Sequence, residues 1–205
     1  MNRAHRYLSV IATVLSLGAL AGCATTPTVE RISPDQVTDV SGYWNDTDAN
    51  LTAQQMISQM LGDPWLGNFE RSHGSQQPTV IVGDIRNLSS EHISVSTFID
   101  DMQRELINSG KVQFVASSGQ RGEVRDERQD QDLNATAPTR SAMGQEVGAD
   151  YMMQGTINTI IDAAGKKAVK YYQVDLRLIN MHNNVIAWIG QKKIKKIVEN
   201  GSFRP

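Results

Sequence analysis

The sequence predicts an α/β fold in which helices pack on a mixed sheet that ends in an antiparallel three-strand meander. Residues 79–85 form a nearly continuous run of β-branched side chains, which is typical of a central strand buried on both faces. Residues 151–197 instead alternate apolar and polar side chains in three segments separated by turns, as meanders do. Apolar residues at helical spacing precede and follow the first strand.

Two helices flank that first strand. A capping-box pattern at Thr52–Gln55 predicts a helix over 52–61, which Gly62-Asp63-Pro64 ends, and residues 65–75 are predicted to be a loop. The second helix follows residue 94 and stops at Gly110. Its apolar stripe consists of Val95, Phe98, Ile99, Met102 and Leu106.

The middle of the chain is polar. A short strand over 111–116 is followed by a charge-dense segment, 117–132, which is typical of a solvated helix held by weak ion pairs. Thr139 is predicted to cap a further helix that runs to Val147, with Met143 and Val147 facing inward.

The meander is predicted from strands over 151–161, 170–180 and 185–197. The side chains expected to face the core in its central strand are Tyr172, Val174, Leu176 and Leu178. The last strand ends in Lys192, Lys193, Lys195 and Lys196. Lysines there protect an edge strand from aggregation or contact an acidic or phospholipid surface, and protection is the favoured interpretation.

The amino terminus has the pattern of a secretory signal peptide over residues 1–22, with an apolar run too short to span a bilayer. It ends in Leu20-Ala21-Gly22-Cys23, which resembles the bacterial lipobox. In a lipobox the cysteine thiol receives a diacylglyceryl group and the new amine is acylated after cleavage. Cys23 is the only cysteine, so without a lipid the secreted chain would carry an unpaired thiol. We therefore predict lipidation at Cys23.

Residues 23–48 are predicted to be a lipidated tether and residues 49–205 the globular domain. Two adjacent aromatic residues, Tyr43 and Trp44, are unusual in a tether, and one of them is expected to be partly buried against the domain. The full chain has a net charge of −2, and loss of the basic signal peptide makes it more acidic. Nucleic acid is therefore not an expected partner.

The sequence contains no recognisable catalytic or cofactor motif. The histidines His73, His92 and His182 have no metal-ligand spacing, so no metal site is expected. Asp84 ends a strand as an isolated acid, which more often bonds backbone amides than performs catalysis. We expect neither enzyme activity, nor a cofactor, nor a small-molecule substrate.

A polar loop directly follows the first strand, and loops in this position commonly carry function. The candidate partner-binding residues in it are Arg86, Asn87, Ser90, Glu91 and His92. The alternative is a turn that only caps the next helix.

Three segments together resemble the LpoB family of lipoproteins, the activators of penicillin-binding proteins: residues 41–48, 80–93 and 146–157. The resemblance implies a fold similar to the amino-terminal domain of TolB. It also implies a lipoprotein anchored in the outer membrane, facing the periplasm, that binds a bifunctional peptidoglycan synthase of the inner membrane and stimulates its two activities. The tether is shorter than in the best-known members.

Three other functions remain open at this point. A secretion lipoprotein of the curli-pore CsgG type should carry extra amphipathic membrane strands, and no clear pair is present. A cell-wall hydrolase would need a catalytic acid or metal set. A periplasmic scaffold without a synthase partner is not distinguishable from an activator by sequence.

Overall fold

The computed structural model of the protein describes residues 28–34 and 36–199, so the predicted signal peptide and Cys23 lie outside the described residues. Residues from Val37 onwards form one compact unit. The helices described in it are α1 (Asp46–Gly62), α2 (Pro64–His73), α3 (Val95–Asn108) and α4 (Ser118–Asn134). The strands are β1 (Thr79–Asn87), β2 (Gln113–Phe114), β3 (Tyr151–Ala164), β4 (Lys167–Asn180) and β5 (Ile186–Glu199).

The strands form one mixed sheet in the order β2-β1-β3-β4-β5, which confirms the predicted fold class. β1 runs parallel to β2 and β3, whereas β3, β4 and β5 form the predicted antiparallel meander. Alternate residues of β3 and β4 enter the hydrophobic core together with α1, α2 and α3. Their neighbours in sequence point to the opposite face of the sheet, as the period of a strand requires.

β1 differs from the predicted strand in its burial. Only its first residues, Thr79 and Val80, are buried, and the rest of the strand is half-buried or exposed. The β-branched run was therefore wrong as a sign of burial on both faces, although the strand itself is confirmed.

α1 begins at Asp46, so the predicted start at Thr52 is wrong. Asn45 is the N-cap: its side-chain oxygen accepts a hydrogen bond from the Asp48 amide at 3.1 Å, and the Asp48 carboxylate accepts one from the Asn45 amide at 3.1 Å. This capping box has aspartate in place of the usual glutamate or glutamine. The predicted end at Gly62 is confirmed.

Replacing Asn45 by alanine should lower the free energy of unfolding by about 1 kcal/mol, because the Asp48 amide at the helix start loses its side-chain acceptor. Urea denaturation followed by circular dichroism measures this change. Asn50→Ala, one turn further into the same helix, is the matched control and should have a smaller effect. Equal losses for the two variants would contradict the cap.

α2 occupies part of the segment predicted to be a loop. Pro64 stands in its first turn, where its missing N–H is not needed, and Trp65, Leu66 and Phe69 are buried. The indole of Trp65 donates to the carbonyl of Met60 at 2.7 Å and its ring meets Tyr151 edge-on at 5.5 Å. The predicted loop over 65–75 is therefore wrong. Asp63 alone separates the two helices, so Gly62-Asp63-Pro64 ends one helix and begins the next.

α3 is confirmed with its apolar stripe buried, and Gly110 beyond it has a positive φ of 68°. α4 is confirmed as a solvated helix, since none of its residues is buried. The further helix predicted from Thr139 to Val147 is wrong: the segment consists of turns and irregular chain, and Met143 and Val147 are exposed. Glu146 in this segment pairs with Arg125 of α4, which holds the pKa of that carboxyl below its ordinary value.

Candidate functional site

A β-bulge in β1 determines which side chains reach the face of the sheet opposite the core. The pairing of β1 with β3 shifts between Val82 and Ile85, so one strand carries extra chain at this point. After the bulge Arg86 lies opposite Thr156 of β3, and its guanidinium lies 3.5 Å from the Asp84 carboxylate. Both side chains are largely exposed, at 62% and 70%.

Asp84 and Arg86 belong to a polar surface that we call the polar sheet face. Its residues are Asp84, Arg86, Gln154, Thr156, Asp175 and Arg177. A depression of about 260 Å³ lies in this face. It is lined by residues of β1 on one side and by residues of β3 and β4 on the other. Asp175 accepts hydrogen bonds from Gln173 and Gln191, each at 2.7 Å, whereas Arg177 has no ion pair among the described residues.

The predicted loop begins later than expected: Arg86 and Asn87 are the last residues of β1, and Ser90, Glu91 and His92 lie in the loop that follows it. The five predicted contact residues also divide between two roles. Asn87 folds the loop: its amide nitrogen donates to the Glu91 carbonyl at 2.7 Å and its oxygen accepts from the Ser89 amide at 3.0 Å. This is the local bonding by which asparagine stabilises turns. Ser90 and His92 are exposed, whereas the Glu91 side chain is 6% exposed. Arg86, Ser90 and His92 can therefore reach a partner, and the Glu91 carboxylate cannot in this arrangement.

Glu91 forms a buried ion pair with Lys170 of β4. The Lys170 nitrogen lies 2.9 Å from the carboxylate, and its side chain is only 2% exposed. The Tyr172 hydroxyl lies 2.8 Å and 2.9 Å from the two Glu91 oxygens, and the Trp44 amide donates to the carboxylate at 2.9 Å. Burial raises the pKa of Tyr172, and the Glu91 carboxylate raises it further, so the phenol stays protonated and donates.

The segment Asp39–Trp44, which we call the strap, covers this ion pair. The Tyr43 ring stacks over the Lys170 nitrogen at 3.3 Å, a cation–π contact, and the Trp44 ring meets Tyr172 edge-on at 5.6 Å. Trp44 is half-buried against the core, which confirms the expectation for this aromatic pair. The sequence pattern marked the two aromatics but gave no sign of their polar partners.

Lys196 of β5 fixes the other end of the strap. Its nitrogen lies 3.0 Å from Asp39 and 2.6 Å from Asp48, and it donates to the Tyr43 carbonyl at 3.2 Å. Burial alone lowers the pKa of Lys196, but the hydrogen bonds to the two aspartates outweigh it and raise the pKa. A side chain on Gly42 would collide with Val198, so only glycine allows the strap to lie this close to β5.

Within residues 28–34 and 36–199 no group of three acidic, histidine or cysteine side chains is placed to hold a metal ion. The same residues include no helix that is both long and apolar enough to cross a membrane. The Asp84 side chain is 70% exposed and paired with Arg86.

The family described as peptidoglycan-synthase activator LpoB matches residues 48–194. The structure is similar to the LpoB C-terminal domain from Escherichia coli, with 16% identity, 73% of this chain and 99% of that chain covered, and a TM-score of 0.43. The corresponding Salmonella enterica domain gives 15% identity, the same coverages and a TM-score of 0.40. Lipoprotein GNA1162 from Neisseria meningitidis gives 15% identity, with 61% of this chain and 87% of that chain covered, and a TM-score of 0.36. No curated protein sequence matches the chain.

Proposed function

Because the chain belongs to the LpoB family of peptidoglycan-synthase activators, we propose that it binds a bifunctional penicillin-binding protein and raises the rate at which this synthase polymerises and crosslinks glycan. The protein contributes binding and no chemistry of its own. Its effect then comes from a difference in affinity between two conformations of the synthase. A tenfold preference for the active conformation shifts the equilibrium by about 1.4 kcal/mol.

The polar sheet face is the surface that we propose for this contact. The observation that carries the proposal is the depression between Arg86 and Arg177, where two guanidinium groups line one concave surface and Arg177 has no ion pair among the described residues. Arginine is well suited to bind carboxylates across an interface, because its planar fork can donate two parallel hydrogen bonds. We therefore expect an acidic surface on the synthase, with Ser90 and His92 at the rim of the contact.

Lipidation at Cys23 would place the domain at the outer membrane, on its periplasmic side. Several acyl chains anchor a protein far more firmly than one. Between Cys23 and the strap the chain has about 15 residues, which span about 50 Å at full extension and about 20 Å on average when flexible. The contacted part of the synthase must then come within this distance plus the width of the folded domain from the membrane.

Charge reversal at both arginines tests the contact surface. Arg86→Glu/Arg177→Glu should weaken binding to the purified synthase at least tenfold and abolish stimulation of glycan polymerisation, because each arginine is replaced by a repelling carboxylate. Binding is measured by calorimetry and polymerisation with a lipid-linked precursor. Lys111→Glu/Lys166→Glu carries the same charge change on two exposed turns and should leave both unchanged.

The outcomes separate the surface from the function. If the arginine variant binds and stimulates like the parent protein, the polar sheet face is not the contact. If the parent protein binds the synthase without changing its rate, the protein is a scaffold. If it binds no bifunctional synthase, the proposed function itself is wrong.

A further inference from the structure

β5 is the last strand of the sheet, and its outer edge has no partner strand among the described residues. It pairs only with β4, over the whole length from Ile186 to Glu199. In an antiparallel pair alternate residues direct both N–H and C=O away from the neighbouring strand. An edge of this length is therefore a row of backbone donors and acceptors available to another chain.

One side chain occupies that edge at a single position. The Gln59 amide of α1 donates to the carbonyl of Gln191 at 3.3 Å and accepts from its N–H at 3.1 Å, as a neighbouring strand would. The backbone of Gln191 therefore points outward. Because outward-pointing residues alternate along the strand, the backbone N–H and C=O groups of Lys193, Lys195 and Ile197 also point outward. The Gln59 side chain bonds only Gln191 and does not cover these three residues.

A groove runs along this free part of the edge. It has a volume of about 480 Å³ and lies between the first residues of the strap, Asp39–Gly42, and Lys195–Glu199. Val40 is 92% exposed and Ile197 is 71% exposed, so an apolar side chain of a bound segment would have contacts on both sides. The groove thus offers side-chain contacts next to the free backbone row.

The charges of the edge determine which segment fits. Lys193 and Lys195 are exposed and lie on the same face, two residues apart. A second copy of β5 that paired about Lys193–Lys195 would place lysines opposite lysines, which is unfavourable, whereas acidic residues at alternate positions would be attracted. The same lysines that protect the edge from self-pairing therefore select a partner strand of opposite charge.

We propose that β5 binds an extended acidic peptide segment of a partner protein, which adds to the sheet as a sixth strand alongside Lys193–Ile197. Main-chain hydrogen bonds would supply the affinity, and the two lysines together with Ile197 would supply the selectivity. This surface is separate from Arg86 and Arg177. The inference does not rest on the synthase being the partner, since its test contains no synthase.

The probe is the acetylated, amidated peptide Thr-Glu-Val-Glu-Val-Glu-Thr, titrated into the isotope-labelled mature protein carrying Cys23→Ser. We expect amide chemical shifts concentrated on residues 193–199 and on the strap, and slower hydrogen exchange at Lys193, Lys195 and Ile197. The same peptide with lysine in place of each glutamate should bind at least tenfold more weakly, because attraction at each alternate position becomes repulsion.

Two variants make the test specific. Lys195→Pro removes an outward N–H that β4 does not use, so the fold should persist while binding weakens at least tenfold. Lys193→Glu/Lys195→Glu keeps the backbone and should exchange the preference of the two peptides, whereas Lys111→Glu/Lys166→Glu should not. The proposal is wrong if no shifts appear, if they lie elsewhere, if both peptides bind equally, or if sedimentation shows that a second copy occupies the edge.

Discussion

Replacing Glu91 by alanine should lower the free energy of unfolding by about 3–5 kcal/mol, because it leaves the buried ammonium of Lys170 without its anion. Lys170 is 2% exposed, so water cannot replace the carboxylate without rearrangement of the strap. The Trp44 amide loses the same acceptor, whereas the Tyr172 hydroxyl keeps the Gly42 carbonyl at 3.1 Å. Each lost partner adds to the cost, since a buried donor without an acceptor is itself unfavourable.

Urea denaturation monitored by circular dichroism measures this effect, and a double-mutant cycle isolates the pair. Lys170→Met alone should also destabilise the protein, because the buried Glu91 carboxylate then lacks its cation. The double variant should lose much less than the sum of the two single variants. Glu146→Ala removes a carboxylate that pairs with Arg125 at a comparable 2.8 Å but at the surface, and should change the melting temperature little. A loss below about 1 kcal/mol for Glu91→Ala would show that the buried pair contributes little to stability.

The parts of the fold that the sequence predicted are those that depend on local periodicity. The alternation in β4 identified both its core face and the outward direction of Gln173, Asp175 and Arg177. The helical stripe of α3 identified a buried face in the same way. Both signals repeat over many residues, so errors at single positions do not change them.

The capping box of α1 and the helix α2 were missed because their signals are short and ambiguous. Asn45 and Asp48 form a cap with an unusual acid, while Thr52 presents the usual pattern about two turns later. In α2, Pro64 and Gly67 favour a loop by propensity, but Trp65, Leu66 and Phe69 gain enough buried area to override it. Tertiary packing therefore decided the case of α2, whereas the start of α1 depends on a local capping pattern.

The candidate site likewise contains residues that the sequence pattern identified and residues that it missed. Arg86 was identified because it follows the predicted strand 79–85, although in the structure it lies within β1. Its neighbour Arg177 comes from β4, and the two residues come together only through the sheet. The role of Glu91 depends on Lys170 and on Trp44, and no local pattern relates residues so far apart in the chain. A buried ion pair between distant residues follows from the packed fold and not from the sequence pattern.

The loop after β1 joins two of the surfaces described. It leaves the polar sheet face at Arg86 and reaches, at Glu91, the carboxylate that holds the strap. The strap is in turn the beginning of the chain that leads towards the predicted lipid anchor. Arg86 is therefore five positions along the chain from Glu91, the residue that binds the strap.

Removing the strap should destabilise the domain by about 3–5 kcal/mol, whereas removing the chain before it should not. We compare the protein beginning at Val37 with the protein beginning at Asn45. The second lacks Tyr43 and Trp44, so the Lys170 ammonium loses its covering ring and the Glu91 carboxylate loses one donor. Lys196 also loses Asp39, although it keeps Asp48.

The measurement is the midpoint of urea denaturation for the two proteins. Unfolding is monitored by far-ultraviolet circular dichroism, because removing Trp44 would itself change the fluorescence. Trp44→Ala/Tyr43→Ala in the longer protein should reproduce most of the loss, since it removes the same aromatic contacts without shortening the chain. A further control begins at residue 28 and should match the protein that begins at Val37. A large loss would mean that the folded domain starts within the predicted tether, at Asp39. Equal stability of all the proteins would show that the strap contributes nothing to stability and that the domain starts no earlier than Asn45, the N-cap of α1.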